Sequence, residues 1–308
     1  MTATPATLTI PISIEDTDLA GTLESALMTF LPRSRHGSSG ALSDALQYGV
    51  FPGGKRLRPI LTILGARIFE RQAGPPCERV LRAACAVEFV HASSLIIDDL
   101  PCMDDADLRR GKPALHCAYG EDLALLTALA LVNQAYALFA ENPELIHVAA
   151  QCIGLDGMIG GQAIDLRSDC EEISLVDRDS KTSGLMRLAL TAGAMAQGAS
   201  REAVAPLAKA GQLLGRAYQM LDDLIDTGTP AKFTGKTADQ DTRHGRSSYC
   251  TRSDALSCVA EAHRLVEETR RCLLDAFGPT NGVIGLTVFI DTLFESLEKR
   301  REDSRLVL

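Results

Sequence analysis

Two groups of aspartates end long apolar stretches of this sequence. Asp98-Asp99-Leu100-Pro101-Cys102-Met103-Asp104-Asp105 closes the run from Val87 to Ile97, and Asp222-Asp223-Leu224-Ile225-Asp226 follows Ala217 to Leu221. The carbonyl end of a helix already carries partial negative charge, so acids gathered there cost energy until a cation arrives. Pro101 disfavours a helical Leu100, which leaves Asp98 and Asp99 in the last turn and requires the chain to bend before Asp104 returns. Asp222 and Asp226 stand four apart, on one face, and repel each other modestly. Alone, either group reads as a solvated helix end. Together they read as two walls of a metal site: oxygen-only ligands suit a hard cation, and magnesium takes one or two carboxylates along with phosphate oxygens rather than a full protein cage. Neither group has the alternating oxygens and central glycine of a calcium loop. Glu88-Phe89-Val90-His91 matches the ligand spacing of di-iron bundles, but the sequence lacks the second copy that such a centre needs. His91 also fits an ordinary core histidine.

A site for phosphate oxygens needs cations, and several basic motifs supply them. Gly53-Gly54-Lys55-Arg56-Leu57-Arg58-Pro59 sets two flexible residues before three cations, which lets backbone and side chains approach a phosphate. Arg109 and Arg110 follow the first aspartate group within a few residues and bring guanidinium forks beside it. Lys181-Thr182 precedes another apolar segment, and Lys236 and Arg246 punctuate the polar stretch after the second group. Each alone reads as a surface charge. Charge balance favours their convergence: two diphosphates bring about −6 and the aspartates about −6 more, which about three divalent ions and Lys55, Arg58, Arg109, Arg110, Lys181, Lys236 and Arg246 roughly offset.

The elements that must position these groups read as helices. The segments around Val87–Ile97, Leu123–Ala140, Gly184–Ala199 and Ala262–Phe277 are Ala- and Leu-rich and free of proline, and several are apolar nearly all round, as befits helices surrounded by other helices. Gly/Pro pairs at 52–54, 74–76 and 278–279, with Asn142-Pro143, divide them. The pattern predicts an all-α bundle: an arm over residues 1–15, strand-like but interrupted by Pro11, then a single helical domain over 16–308. Residues 228–248 read as a long polar loop, of a kind that is usually functional or disordered. A net charge of −9 argues against nucleic acid as a partner. The N-terminus lacks a signal-peptide pattern and the apolar run from Leu123 to Val132 is too short to span a bilayer, so the expectation is a cytoplasmic protein, not an integral membrane one. Nine cysteines without a Cys-x-x-Cys pair suit a reducing compartment.

The segments GGKRLRP (53–59), VEFVHASSLIIDDLPCMDDADLRRGKPALH (87–116), GGQAIDL (160–166), Lys181-Thr182 and YQMLDDLID (218–226), in this order, resemble the trans-isoprenyl diphosphate synthases, or polyprenyl synthetases. Within that family the motifs are most similar to bacterial and plastid-type geranylgeranyl diphosphate synthases. The likeness runs from about Gly53 to Tyr249. It implies an isoprenoid synthase-type helical bundle around a deep central cavity, usually a homodimer, with the two aspartate motifs facing each other. It implies Mg2+ as cofactor, about three ions per active site by the charge balance above, and isopentenyl diphosphate and allylic diphosphates (dimethylallyl, geranyl, farnesyl) as partners. On this pattern Asp98, Asp99, Asp104, Asp222, Asp223 and Asp226 hold magnesium on the allylic diphosphate, which Arg109 and Lys181 grip. Lys55, Arg58, His91 and Arg110 match positions for isopentenyl diphosphate, and Thr182 and Gln219 match polar groups beside the reacting carbon. The family's loop usually ends in Gly-Lys-Ser/Thr, whereas this chain has Gly245-Arg246-Ser247-Ser248, which keeps the charge but not the ammonium geometry.

The resemblance implies a magnesium-dependent prenyltransferase that lengthens an allylic diphosphate, with geranylgeranyl diphosphate as product and farnesyl diphosphate as the alternative. A terpene cyclase would share the first motif but typically mixes Asn or Asp, Ser or Thr, and Glu in its second and needs no Lys55, Arg58 and His91; a non-catalytic subunit often lacks motif aspartates, all of which are present here. Product length is read from the helix entering Asp98. Ser94 and Ser93 lie four and five residues upstream, about one turn or 5.4 Å deeper. A small residue at 93 lets the growing tail pass, to be stopped near Phe89 or Val90; the alternative is that the paired serines only permit close helix packing and another helix supplies the floor.

Overall fold

The computed structural model describes residues 19–33, 40–71, 74–166, 180–228 and 255–305. Helices α1 (Leu19–Phe30), α2 (Gly40–Val50), α3 (Leu57–Arg67) and α4 (Glu78–Asp98) precede a short ribbon of β1 (Leu108–Arg109) and β2 (Lys112–Pro113). After it come α5 (Leu115–Tyr119), α6 (Glu121–Phe139), α7 (Pro143–Ile153), α8 (Met158–Asp165), α9 (Ser180–Ala196), α10 (Ala205–Gly228), α11 (Ala255–Phe277) and α12 (Asn281–Arg305). The all-α expectation holds, with one addition. The antiparallel ribbon pairs Leu108 with Pro113 and Arg109 with Lys112, and φ is positive at both residues of its turn, Arg110 and Gly111, the pattern of a type I′ turn. The arm and most of the 228–248 loop lie outside the described residues.

Two helices form the centre. α4 packs against α1, α2, α3, α6 and α9, and α9 against α3, α4, α7, α8 and α10, while α11 and α12 cover α10. This explains why α4 and α9 are apolar nearly all round: Ala83 to Val90 of α4 and Ser183 to Met186 of α9 are continuously buried. α6 forms where the sequence predicts a helix, but it is longer than the apolar run from Leu123 to Val132. It is an unbroken helix of 19 residues, and both it and α4 are long and apolar enough, by length and composition, to cross a bilayer. The apolar window of α4 is 67% buried in the bundle, that of α6 only 39%.

The contact of α9 with α3 depends on a missing side chain. A Cβ at Gly193 would stand 1.7 Å from the carbonyl oxygen of Thr62 and 3.2 Å from the amide of Ala66, so the helix backbones touch. Gly193→Ala must push them apart. The expected cost is roughly 1–3 kcal/mol, the range for overpacking a close-packed interior. Thermal unfolding of the purified variant should show a lower midpoint, and an unchanged midpoint would mean that the α3–α9 contact is not limiting.

Candidate active site

Helix α4 ends at Asp98, with Asp99 as its C-cap, so the acids sit where Pro101 predicts. The chain then folds back on itself. The amides of Asp104 and Ala106 donate to the carbonyls of Asp98 and Asp99 at 2.9 and 3.2 Å, Asp105 adopts a left-handed φ of 49°, and Asp104 returns close enough to Asp98 for their charges to repel. Asp98 and Asp99 are only 6% and 3% exposed. Burial pushes both carboxyls above the usual carboxylate range, against the opposing pull of Lys181 on Asp98 and of Arg109 on Asp99.

Those two cations complete the wall. Lys181 Nζ lies 2.9 Å from Asp98 Oδ2. Arg109 grips Asp99 with Nε at 2.9 and 3.0 Å from the two carboxylate oxygens, and with a further short contact from Nη2. The adjacent Thr182 faces the second cluster: its hydroxyl donates to Gln219 Oε1 at 2.6 Å, and Gln219 Nε2 donates to Asp223 Oδ1 at 2.6 Å. The first turn of α9 therefore joins the two aspartate groups through consecutive residues. It can do so because its neighbours are bare there. A Cβ at Gly161 of α8 would stand 2.4 Å from the amide of Lys181, and one at Gly215 of α10 would stand 2.4 Å from Cα of Ser183.

A second set of cations gathers around His91, two turns before Asp98 along α4. Arg58 Nη1 lies 3.2 Å from His91 Nε2. A guanidinium can only donate, so Nε2 accepts and the ring proton sits on Nδ1, which is buried with no partner, as is Arg58 Nε. Arg110 extends its guanidinium to 3.2 Å from where a Cβ of Gly54 would lie, and its charge acts on His91. Partial desolvation lowers the exposed Lys55 ammonium, with Arg300 of α12 acting in the same direction and Asp222 opposing, which sets Lys55 near both the second cluster and the last helix. Of the other expected residues, Ser93, Ser94, Phe89 and Val90 are all buried in the bundle, and the Ser94 hydroxyl donates to the carbonyl of His91 at 2.9 Å. Lys236, Arg246 and the side chain of Asp226 lie outside the described residues.

One sequence expectation is corrected. Arg56 does not stand beside Lys55 and Arg58 as a third phosphate cation: it is 7% exposed and points inward to Glu24 and Glu88. The Glu88-x-x-His91 spacing that resembled a di-iron motif is thereby explained, Glu88 pairing with Arg56 and His91 with Arg58. Three residues escaped the sequence reading. Glu24 and Arg300 are far from the motifs they serve, although Arg300 sits in a visible basic run, Lys299 to Arg301. Gln162, beside Gly161, buries both amide atoms without a hydrogen-bond partner, and its signal was the GGQAIDL segment itself.

Among the described residues no three acidic, histidine or cysteine side chains close into a ligand set. An open set of carboxylates flanked by cations suits a metal that completes its shell with phosphate oxygens. An all-helical bundle with two such acidic ends joined by one helix start has the architecture of the isoprenoid synthase-type prenyltransferases. The comparisons agree. Residues 39–270 match the polyprenyl synthetase family, and the chain belongs to that family. It is 38% identical over 225 residues to geranylgeranyl pyrophosphate synthase 11, chloroplastic, of Arabidopsis thaliana, covering 68% of this chain and 62% of that one. It is 32% identical over 266 residues to the geranylgeranyl diphosphate synthase of Cyanophora paradoxa, covering 82% and 86%. The geranyltransferase of Helicobacter pylori, solved with magnesium and isoprenyl diphosphate, superposes with a TM-score of 0.75 at 28% identity over 92% of this chain and 99% of that one.

Burial first, then Arg58, Arg110, Arg109 and Arg56, hold the His91 imidazole well below its ordinary value. A depressed folded pKa means that His91 contributes stability above the unfolded value of about 6.5, and that this is lost as pH falls through and below it. The expected NMR result is that the histidine signal missing from a His91→Asn variant stays at its neutral shift as pH is lowered through about 6.5. A midpoint at the ordinary value would contradict the buried Arg58–His91 pair.

Proposed function

We propose that this protein is a magnesium-dependent trans-prenyltransferase that condenses isopentenyl diphosphate with allylic diphosphates and releases geranylgeranyl diphosphate. The observation that carries this reading is the join from Asp98 through Lys181 and Thr182 to Gln219 and Asp223. It brings acid, ammonium and hydroxyl together where a charged leaving group and a developing carbon cation must be stabilised at once. In this reading Asp98, Asp99, Asp104 and Asp222, with Asp223 and Asp226, hold about three magnesium ions, consistent with the charge balance. When bound, the metal neutralises charge on the departing diphosphate. Lys181 and Arg109 exchange their aspartate contacts for the same diphosphate and stabilise it as the allylic carbon–oxygen bond breaks. Gln219 is oriented by Asp223 and takes the Thr182 proton in a hydrogen bond, which leaves the Thr182 oxygen lone pairs to face the allylic cation. Lys55, Arg58, His91 and Arg110 hold the isopentenyl diphosphate, whose double bond attacks that carbon. The proton then lost goes to the released diphosphate.

The apolar face of α6 supports a homodimer. Leu125, Leu126 and Leu129, on one side of that helix, are 48, 50 and 66% exposed, and covering such a stripe is the simplest source of further stability. The cysteines among the described residues are all free, which supports a reducing cytoplasm. For product length, the small Ser93 stands one turn above the fully buried Phe89 in the core of the bundle.

Two measurements test the reading. Asp98→Ala and Asp222→Ala should each lower turnover by roughly a thousandfold or more, with helical content unchanged, since each removes charge stabilisation made in the transition state. Near-normal turnover at saturating magnesium would contradict it. Separately, Ser93→Phe should shift the dephosphorylated product from twenty carbons towards fifteen with activity retained. An unchanged product distribution would put length control on another helix.

A further inference from the structure

Resting on the isopentenyl diphosphate assignment above, we infer that Arg56 is a positioning residue for that substrate, an internal clamp through which Glu24 of α1 and Glu88 of α4 aim Lys55 and Arg58.

The guanidinium of Arg56 is almost saturated by the protein. Nε and Nη2 donate to Glu24 Oε1 and Oε2 at 2.7 and 3.1 Å, Nη1 donates to Glu88 Oε1 at 2.6 Å, and Nη2 also donates to the carbonyl of Val50 at 3.0 Å. Its Cζ stands 5.5 Å from the centroid of the Phe51 ring. A group so satisfied, with a side chain 6% exposed, has no fork left for a phosphate. The backbone is shaped to send it there. Arg56 has φ 49° and ψ 33°, a left-handed conformation that L-residues adopt at a cost. A Cβ on Gly53 would fall 1.9 Å from the Arg56 Cζ, so that glycine leaves the room the guanidinium fills.

The consequence lies in the flanking residues. Arg56 is the N-cap of α3, and its carbonyl accepts the first helical bond, from the amide of Ile60 at 3.1 Å. Fixing Arg56 fixes the start of α3. Lys55 is left at the surface facing Asp222, and Arg58 is brought to His91. Glu88 and His91 lie one turn apart on α4 and receive Arg56 and Arg58, two rungs between the same pair of elements. α1 belongs to the clamp through Glu24, although it carries none of the groups that face substrate.

The test uses the full-length enzyme with magnesium and compares Michaelis constants for the two substrates. Arg56→Lys keeps the charge but not the fork, so the constant for isopentenyl diphosphate should rise roughly tenfold or more while kcat and the allylic constant move less than about threefold. Glu24→Gln, at a side chain 44% exposed, loosens the clamp without burying a new charge, and should raise the same constant by roughly threefold with the melting temperature kept. It carries the test if Arg56→Lys fails to fold. A direct phosphate role for Arg56 gives the opposite sign, since Glu24→Gln would release the guanidinium to the substrate and lower the constant. That result overturns the inference, as does an unchanged isopentenyl constant in Glu24→Gln or in folded Arg56→Lys. Arg58→Ala separates the two levels. If it alone raises the isopentenyl constant, the substrate assignment stands and the clamp falls; if it raises both substrates' constants equally, the assignment falls and the clamp with it.

Discussion

Lys181 can touch Asp98, and Thr182 can touch Gln219, only because the backbone of α9 runs against its neighbours with almost nothing between. At Gly161, Gly193 and Gly215 a single methyl group would collide with main-chain atoms of the facing helix. Helices usually pack at a distance set by their side chains. Here the distance is set by their absence, and two acidic clusters on separate helices come within reach of consecutive residues on a third. The apolar body of α9 and the polar chemistry of its first turn follow from the same close approach.

The electrostatic logic builds on that packing. A carboxylate as buried as Asp98 or Asp99 is costly unless something compensates it. The protein supplies Lys181 and Arg109, which the proposed mechanism assigns to the allylic diphosphate. In the proposed mechanism these cations rest on the acids until substrate and metal separate them. Two turns earlier on α4 the solution differs: Arg58 donates a hydrogen bond to a neutral imidazole, which accepts it without cancelling the charge. Lys181 and Arg109 are thus offset by acids, whereas Arg58 keeps its positive charge.

Much of this was legible in the residues. Aspartates at the ends of apolar helices, a proline that stops the first, and basic motifs nearby gave the chemistry, and the long Ala- and Leu-rich segments gave the bundle. What escaped was governed by backbone detail or by distance along the chain. The run Lys55-Arg56-Leu57-Arg58 does not reveal that its middle arginine turns left-handed and inward, because that depends on acids 32 residues away in each direction. The Arg110-Gly111 turn lacks the Asn-Gly or Asp-Gly pair that usually announces a two-residue hairpin. The helix of α6 was legible, but its apolar run, Leu123–Val132, too short for a membrane span, is shorter than the helix, which continues through Asn133 and Gln134.

In the proposed reading, the β1–β2 hairpin also couples the grips on the two substrates. Arg109, on its strand, holds Asp99, while Arg110, one residue later at a positive φ, turns back toward Gly54 and the Lys55–Arg58 segment. A two-residue turn has no slack, so any displacement of the ribbon moves both guanidinium groups together. In the proposed reading it serves as a gauge block: the spacing between the carbon that is attacked and the double bond that attacks it is set by the length of one peptide unit.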